Sequence, residues 1–265
     1  MKPTYWCAMA VLAATAPALA SPVADHRALY ELSLARTSRD STVQGASGEM
    51  ILEVRSACDA VTVNQMFRSD FSGVDAKPKH TEMRMSSVEA HDGKSFRFSL
   101  HNEVDGVVAE HFEGTAARAA SGAAGSITYV NDAFPNAPLP AGAVFPTMHL
   151  SQLLATAETG KKTLAVEVFD GAEKGKVYRA VAVIGRKVAR ADNVPGALAR
   201  LPHWRIMISY FPIGSADPTP EYESSFDLYS NGVSANLLID YGEFALRADL
   251  SELRLVPKPD CASSD

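Results

Sequence analysis

Residues 221–256, EYESSFDLYSNGVSANLLIDYGEFALRADLSELRLV, decide the fold class. Phe226 and Leu228 alternate with polar neighbours up to Asn231-Gly232, a dipeptide that accepts positive φ at both turn positions and so predicts a type I′ hairpin. Leu237, Ile239 and Tyr241 then alternate with Leu238, Asp240 and Gly242. Phe244, Leu246, Ala248 and Leu250 carry the period of two on into Leu253 and Leu255. Such a meander buries one face, and because an isolated hairpin is marginal in water, these strands need a larger sheet to complete them. Cys261, just beyond the last strand, is placed to tie that end to an earlier part of the chain.

The preceding chain supplies the sheet. HRALYELSLAR, from His26, alternates as a strand; Gly45 and Gly48 read as a loop or bulge; and Met50, Leu52 and Val54 form the next apolar row, before Cys58. Val61, Val63 and Phe67 follow, then Met83 and Met85, then Phe96, Phe98 and Leu100. Asp105-Gly106 predicts a hairpin between HNEV and VVAEHFEG, and the Gly/Ala/Ser-rich stretch 116–126 reads as a loose connection. One strong helix signal stands out. In FPTMHLSQLLATAETGK, Pro146 and Thr147 mark a start, Leu150, Leu153, Leu154 and Ala157 follow the i, i+3, i+4, i+7 rule, and Gly160 marks an end. At about 1.5 Å per residue, roughly twelve residues span about 18 Å, enough to cap a curved sheet. Strands resume at KTLAVEVFD, KVYRAVAVIG and WRIMISYFP. The fold class expected is therefore mainly β.

The 265 residues are 46% hydrophobic and 21% charged, an ordinary globular composition. A net charge of −6 and the lack of any cluster of five or more basic residues argue against nucleic acid, and an anionic membrane surface would repel the chain. Residues 1–20, MKPTYWCAMAVLAATAPALA, have a lysine near the start, a short alanine-rich apolar run and an A-x-A end, which predicts a cleaved secretory signal peptide and a periplasmic protein with no membrane span. Cys7 would leave with that peptide. Residues 21–265 are expected to form one β-rich domain, and they keep two cysteines, Cys58 and Cys261. In an oxidising compartment an even pair most simply forms one disulfide, with two buried thiols as the alternative.

The H-E-x-x-H, G-x-S-x-G, P-loop and Rossmann patterns are absent, and no cofactor is expected. Three spots carry candidate chemistry. Pairing Val104 with Val107 would set His101 directly opposite Glu110, an acid–base pair or an ordinary exposed cross-strand pair. His149 and Thr147 stand in the first turn of the helix, where an imidazole either meets a ligand or fixes the local backbone. Tyr241 opens the cluster Tyr241-Gly242-Glu243-Phe244, a tight bend with Gly242 allowing a bulge. His149, Thr147 and Tyr241 are the candidate ligand or structural site.

Several strings in one order, HRALYELSL, CDAVTVNQMF, SFRFS, LPAGAVFPTMH, WRIMISYFP, PEYESSFDLYSNGV and IDYGEFALR, followed by Cys261, resemble the EipB-like family of periplasmic cell-envelope integrity proteins of Gram-negative bacteria. The resemblance covers nearly all of the chain after residue 20 and departs at the weakly patterned stretch 116–125. It implies a long, strongly bent antiparallel sheet, a β-spiral or open-barrel-like form with one or a few short helices, and a Cys58–Cys261 disulfide. It carries no catalytic residues over.

The function expected is non-catalytic support of envelope integrity and stress resistance by a monomer that binds another envelope component. Two alternatives stand beside it. One is a module that binds a lipid or a peptidoglycan fragment in a cleft between sheet and helix. The other is a hydrolase built from His149 or His101 with distant partners.

Overall fold

The computed structural model describes residues 23–73, 77–191 and 194–261. The expected signal peptide, residues 1–20, lies outside the described residues. The first arm of the fold is a run of strands: β1 (His26–Thr37), β2 (Gly45–Ser56), β3 (Ala60–Ser72), β4 (Lys79–Ala90), β5 (Ser95–Val104), β6 (Val107–Arg118), β7 (Gly125–Tyr129) and β8 (Ala137–Leu139). A helix, α1 (Pro146–Glu158), follows. The second arm is β9 (Thr163–Val168), β10 (Tyr178–Val188), β11 (His203–Pro212), β12 (Tyr222–Tyr229), β13 (Ser234–Asp240) and β14 (Phe244–Leu255).

Together they make one 14-stranded sheet in the order β8-β7-β6-β5-β4-β3-β2-β1-β14-β13-β12-β11-β10-β9. Every strand pairing in it is antiparallel, so each arm is a meander and the arms join through β1 and β14. The sheet bends until its two ends meet at a single parallel bridge. Val144, beyond β8, accepts from Phe169 N at 3.0 Å and donates to Glu167 O at 2.8 Å, beside Val168 on β9. The form is open: among the described residues no strand pairing closes it.

The alternation read in the sequence sorts the faces. Phe96, Phe98 and Leu100 of β5 are buried, with Phe112, Ile127, Phe145 and Phe169, in an aromatic core under the first arm. Under the second arm Leu153, Leu154 and Ala157 of α1 pack on Ala180, Ala182 and Ile184 of β10 and on Trp204, Ile206 and Ile208 of β11. The two alanines leave the depth that a helix needs against a sheet, and each buried leucine contributes about 2 kcal/mol by its removal from water. Cys58, in the turn after β2, and Cys261, beyond β14, form a disulfide with Cα atoms 5.5 Å apart across 203 residues of sequence.

Four local expectations are corrected. Gly45 and Gly48 lie inside β2 rather than in a loop, because β3 runs so close that a Cβ on Gly48 would fall 2.0 Å from Arg68 O. The stretch 116–126 is not one loose connection: β6 extends through the fully buried Ala116 to Arg118, and only the turn before β7 is irregular. Asp105 (φ 52°) and Gly106 (φ 76°) do form the turn after β5, but at Asn231-Gly232 only the glycine (φ 82°) has positive φ. Tyr229 N donates to Val233 O, and Gly232 N to Tyr229 O, which leaves a three-residue loop ending in a left-handed glycine rather than a type I′ turn. The N-terminal segment docks on this loop through Ala24 N to Asn231 O at 2.8 Å, with Val23 against Gly232. Finally, Tyr241–Phe244 is a hairpin turn between β13 and β14, with Gly242 (φ 82°) at its first central position, as a II′ turn requires.

Candidate functional site: an open cleft between the arms

Bending the sheet leaves a cleft of about 500 Å³ between the inner faces of the two arms. One wall comes from β3, β4 and β5, whose inward positions are Val63, Phe67, Met83, Met85, Phe98 and Leu100. Methionine and phenylalanine at alternate positions give a soft apolar surface that adapts to an irregular guest. The other wall comes from β10 to β13 and carries four tyrosines: Tyr178, Tyr210, Tyr222 and Tyr241. Tyr210 and Tyr222, directly paired across β11 and β12, stack at 4.4 Å, and Tyr178 meets Tyr222 edge-on at 5.5 Å. Tyr241, 45% exposed, lies 6.2 Å beyond Tyr222 towards the opening.

Burial pushes the Tyr210 phenol up to about 12 and raises Tyr178 and Tyr222 as well. The charged residues that line the cleft are Asp170, Glu173 and Glu221, all acidic. The Tyr178 hydroxyl donates to Glu173 Oε1 at 2.7 Å and lies 3.2 Å from Glu221 Oε1. Lys176 Nζ reaches Glu173 Oε2 at 2.6 Å and Glu221 Oε1 at 2.7 Å. Loss of solvent raises the Asp170 carboxyl, even though Ala172 N donates to it at 2.9 Å.

The foot of α1 contrasts with the cleft. The helix has no side-chain cap of its own and no acid in its first turn. Glu89 of β4, 5% exposed, fills that role: Thr147 N donates to its Oε2 at 2.7 Å and Met148 N to its Oε1 at 2.8 Å. Burial raises the Glu89 carboxyl, and the bonds from Thr147 and Met148 pull it partly back. Arg118 completes the arrangement, donating to Gly93 O and Ala143 O at 2.7 Å each and lying 4.7 Å over the Phe145 ring.

Of the three residues singled out in the sequence, Tyr241 lines the cleft, and Thr147 and His149 do not. Thr147 holds Glu89. His149 faces the core with Leu153 and Ala157, its Nε2 buried without a hydrogen bond, and burial drives its pKa down to about 4. His101 does not oppose Glu110. A bulge after Val108 shifts the register so that His101 faces His111 and Asn102 faces Glu110. The His101 ring instead lies 2.7 Å from Glu103 Oε1, in a second groove of about 400 Å³ with His111, Glu113, Arg27 and Arg84. Being one position from Leu100, it points to the reverse face of the sheet. Among the described residues, no group of three or more His, Cys, Asp or Glu side chains is placed to hold a metal ion.

Tyr178, Tyr210, Tyr222, Glu89 and Asp170 escaped the sequence reading. Each stands alone in its own segment, and only the pairing of β10 to β13, or of α1 with β4, brings partners to it. The tyrosines at strand positions in KVYRA, MISYFP and PEYESS were the signal that existed.

The chain has relatives. A family model described as EipB-like matches residues 17–257. The cell envelope integrity protein EipB of Brucella abortus (strain 2308) is 30% identical over 254 residues, 94% of this chain and 89% of that protein. A crystal structure of a β-barrel-like protein of a domain of unknown function, also from Brucella abortus, superposes with a TM-score of 0.83 at 29% identity, covering 90% of this chain and all of the other.

Proposed function

The chain belongs to the EipB-like family, and from that premise we propose that it supports cell-envelope integrity by holding another envelope component, without chemistry, in the cleft between its arms. The expected signal peptide and the disulfide between Cys58 and Cys261 support a periplasmic location for that work. The observation that carries the reading is the cleft itself: about 500 Å³, walled by Met83, Met85 and Phe98 on one side and by four tyrosines on the other. Its size and mostly apolar lining, with a few convergent polar groups, suit a small amphipathic guest. A retained lipid or peptidoglycan fragment is the narrower form of this reading, and a protein partner inserting an apolar segment is the wider one. The hydrolase reading draws on the His101–Glu103 contact alone, and that contact lies on the reverse face from the cleft.

The test is genetic and direct. Cells lacking the gene should become sensitive to detergents and cell-wall drugs, and protein released from its own periplasm should carry extra mass in native mass spectrometry. Unchanged sensitivity across such stresses would overturn the envelope role. Repeatedly empty protein would remove the retained lipid or fragment and leave a protein partner.

A further inference from the structure

The cleft is asymmetric in charge as well as in shape. One wall offers hydrocarbon and thioether: Met83, Met85, Phe98 and Leu100. The charged residues of the lining are all acids: Asp170, Glu173 and Glu221. Lys176 pairs with two of them, Glu173 and Glu221, so the three carboxyl groups share one ammonium. Beside them are the tyrosine rings, whose π-faces attract cations: Tyr178 donates to Glu173, and Tyr241, 45% exposed, lies 6.2 Å from Tyr222. An anionic head brought here would meet like charge in a site poorly screened by water. A neutral head would leave the carboxylates without a new partner. A protonated amine would meet both carboxylate and ring.

We propose that the cleft takes an aliphatic amine, its chain along Met83, Met85 and Phe98 and its ammonium against Asp170 and Glu221 beside Tyr222 and Tyr241. This rests on the reading of the cleft as a binding site, and it adds the sign of the guest's head group. It turns anionic amphiphiles away and so narrows the envelope components to lipids that present a free amine next to hydrocarbon.

The test compares three probes of equal chain length, n-decylamine, n-decanol and n-decanoate, by isothermal titration against the full mature chain. Decylamine should bind at least tenfold more tightly than decanol, decanoate should bind least, and the amine's advantage should shrink as salt rises. Glu221→Gln, on a partly exposed side chain, should bring decylamine to within about threefold of decanol while leaving decanol affinity unchanged; Asp170→Asn is the second variant should the first melt early. Equal binding of amine and alcohol by the wild type would overturn the charge assignment and leave the cleft reading standing. Binding of none of the three would overturn both.

Discussion

The inner face of the sheet is treated differently at its two ends. Where α1 lies on β10 and β11, the concavity is filled: Leu153, Leu154 and Ala157 reach Ala180, Ala182 and Trp204, and the buried Glu89 carboxylate is held by two backbone amides. Where β3–β5 face β10–β13 past the end of the helix, the concavity stays open, and its polar groups face a space of about 500 Å³. Both regions bury carboxyls and raise their pKa values, so a perturbed group does not by itself mark a functional site. In both, the fold supplies partners to the buried carboxyl; what separates them is whether the space beside it is filled by the helix or left open.

The sharpest way to break the comparison is Leu153→Asp. This side chain is 1% exposed among Ala180, Ile184 and Ile206, and an ionised carboxylate there has no partner. The loss should exceed about 4 kcal/mol and abolish cooperative unfolding. An unchanged melting temperature would mean that the helix face is not a covered core.

Opening the disulfide should be next in size. It joins the turn after β2 to the tail beyond β14, outside the helix core, and closes a loop of 203 residues. Chain entropy sets an upper figure of about 5 kcal/mol, and removal of native bridges typically costs about 2–5 kcal/mol. Cys58→Ser, Cys261→Ser and the double variant should therefore lose the same several degrees of melting temperature, since any one change opens the same loop. Amide exchange should quicken in β2, β3 and β14 and stay unchanged in α1. Two titratable thiols in unreduced protein taken from the periplasm would sink the expectation.

The smallest effect separates a structural histidine from a ligand-binding one. His149 has a pKa near 4 in the fold against an ordinary value of 6.5, so it favours the folded state above pH 6.5, and that contribution is lost as pH falls towards 4. The loss is at most about 3 kcal/mol. Denaturant unfolding of wild type and His149→Leu from neutral to acid pH should give curves that differ in slope over this window, the wild type falling more steeply. Parallel curves would show that the imidazole is not held neutral by the core.

The meander, the helix and the pairing of Cys58 with Cys261 were legible because each rests on a signal within one segment or on the only two cysteines after residue 20. A period of two, a Pro146 start, a Gly160 stop and an Asp105-Gly106 turn are local facts. Glu89 was not legible: in SSVEAHDG it reads as a solvated strand end, and its partners Thr147 and Met148 lie 58 and 59 residues away. The bulge at β6 was equally hidden, and a slip of one residue was enough to trade Glu110 for His111 opposite His101. The cleft emerges only when strands from opposite arms curl to face each other, and of its tyrosines only Tyr241, beside a conspicuous glycine, drew notice.

The seam between the arms has a consequence for how the chain comes into being. Among the described strands β1 comes first in the chain and β14 last, yet they are paired along almost their whole length at the middle of the sheet. β2 can zip onto one side of β1 at once, but the other side keeps a row of unmet backbone donors and acceptors until the final residues arrive, an open template for any passing strand. A chain delivered from its N-terminal end thus stands as two unfinished half-sheets until residues 244–255 arrive. Cys261, six residues past the last strand, arrives only after the seam has the means to close, so the bond to Cys58 works as a latch applied to finished work rather than as a guide to assembly.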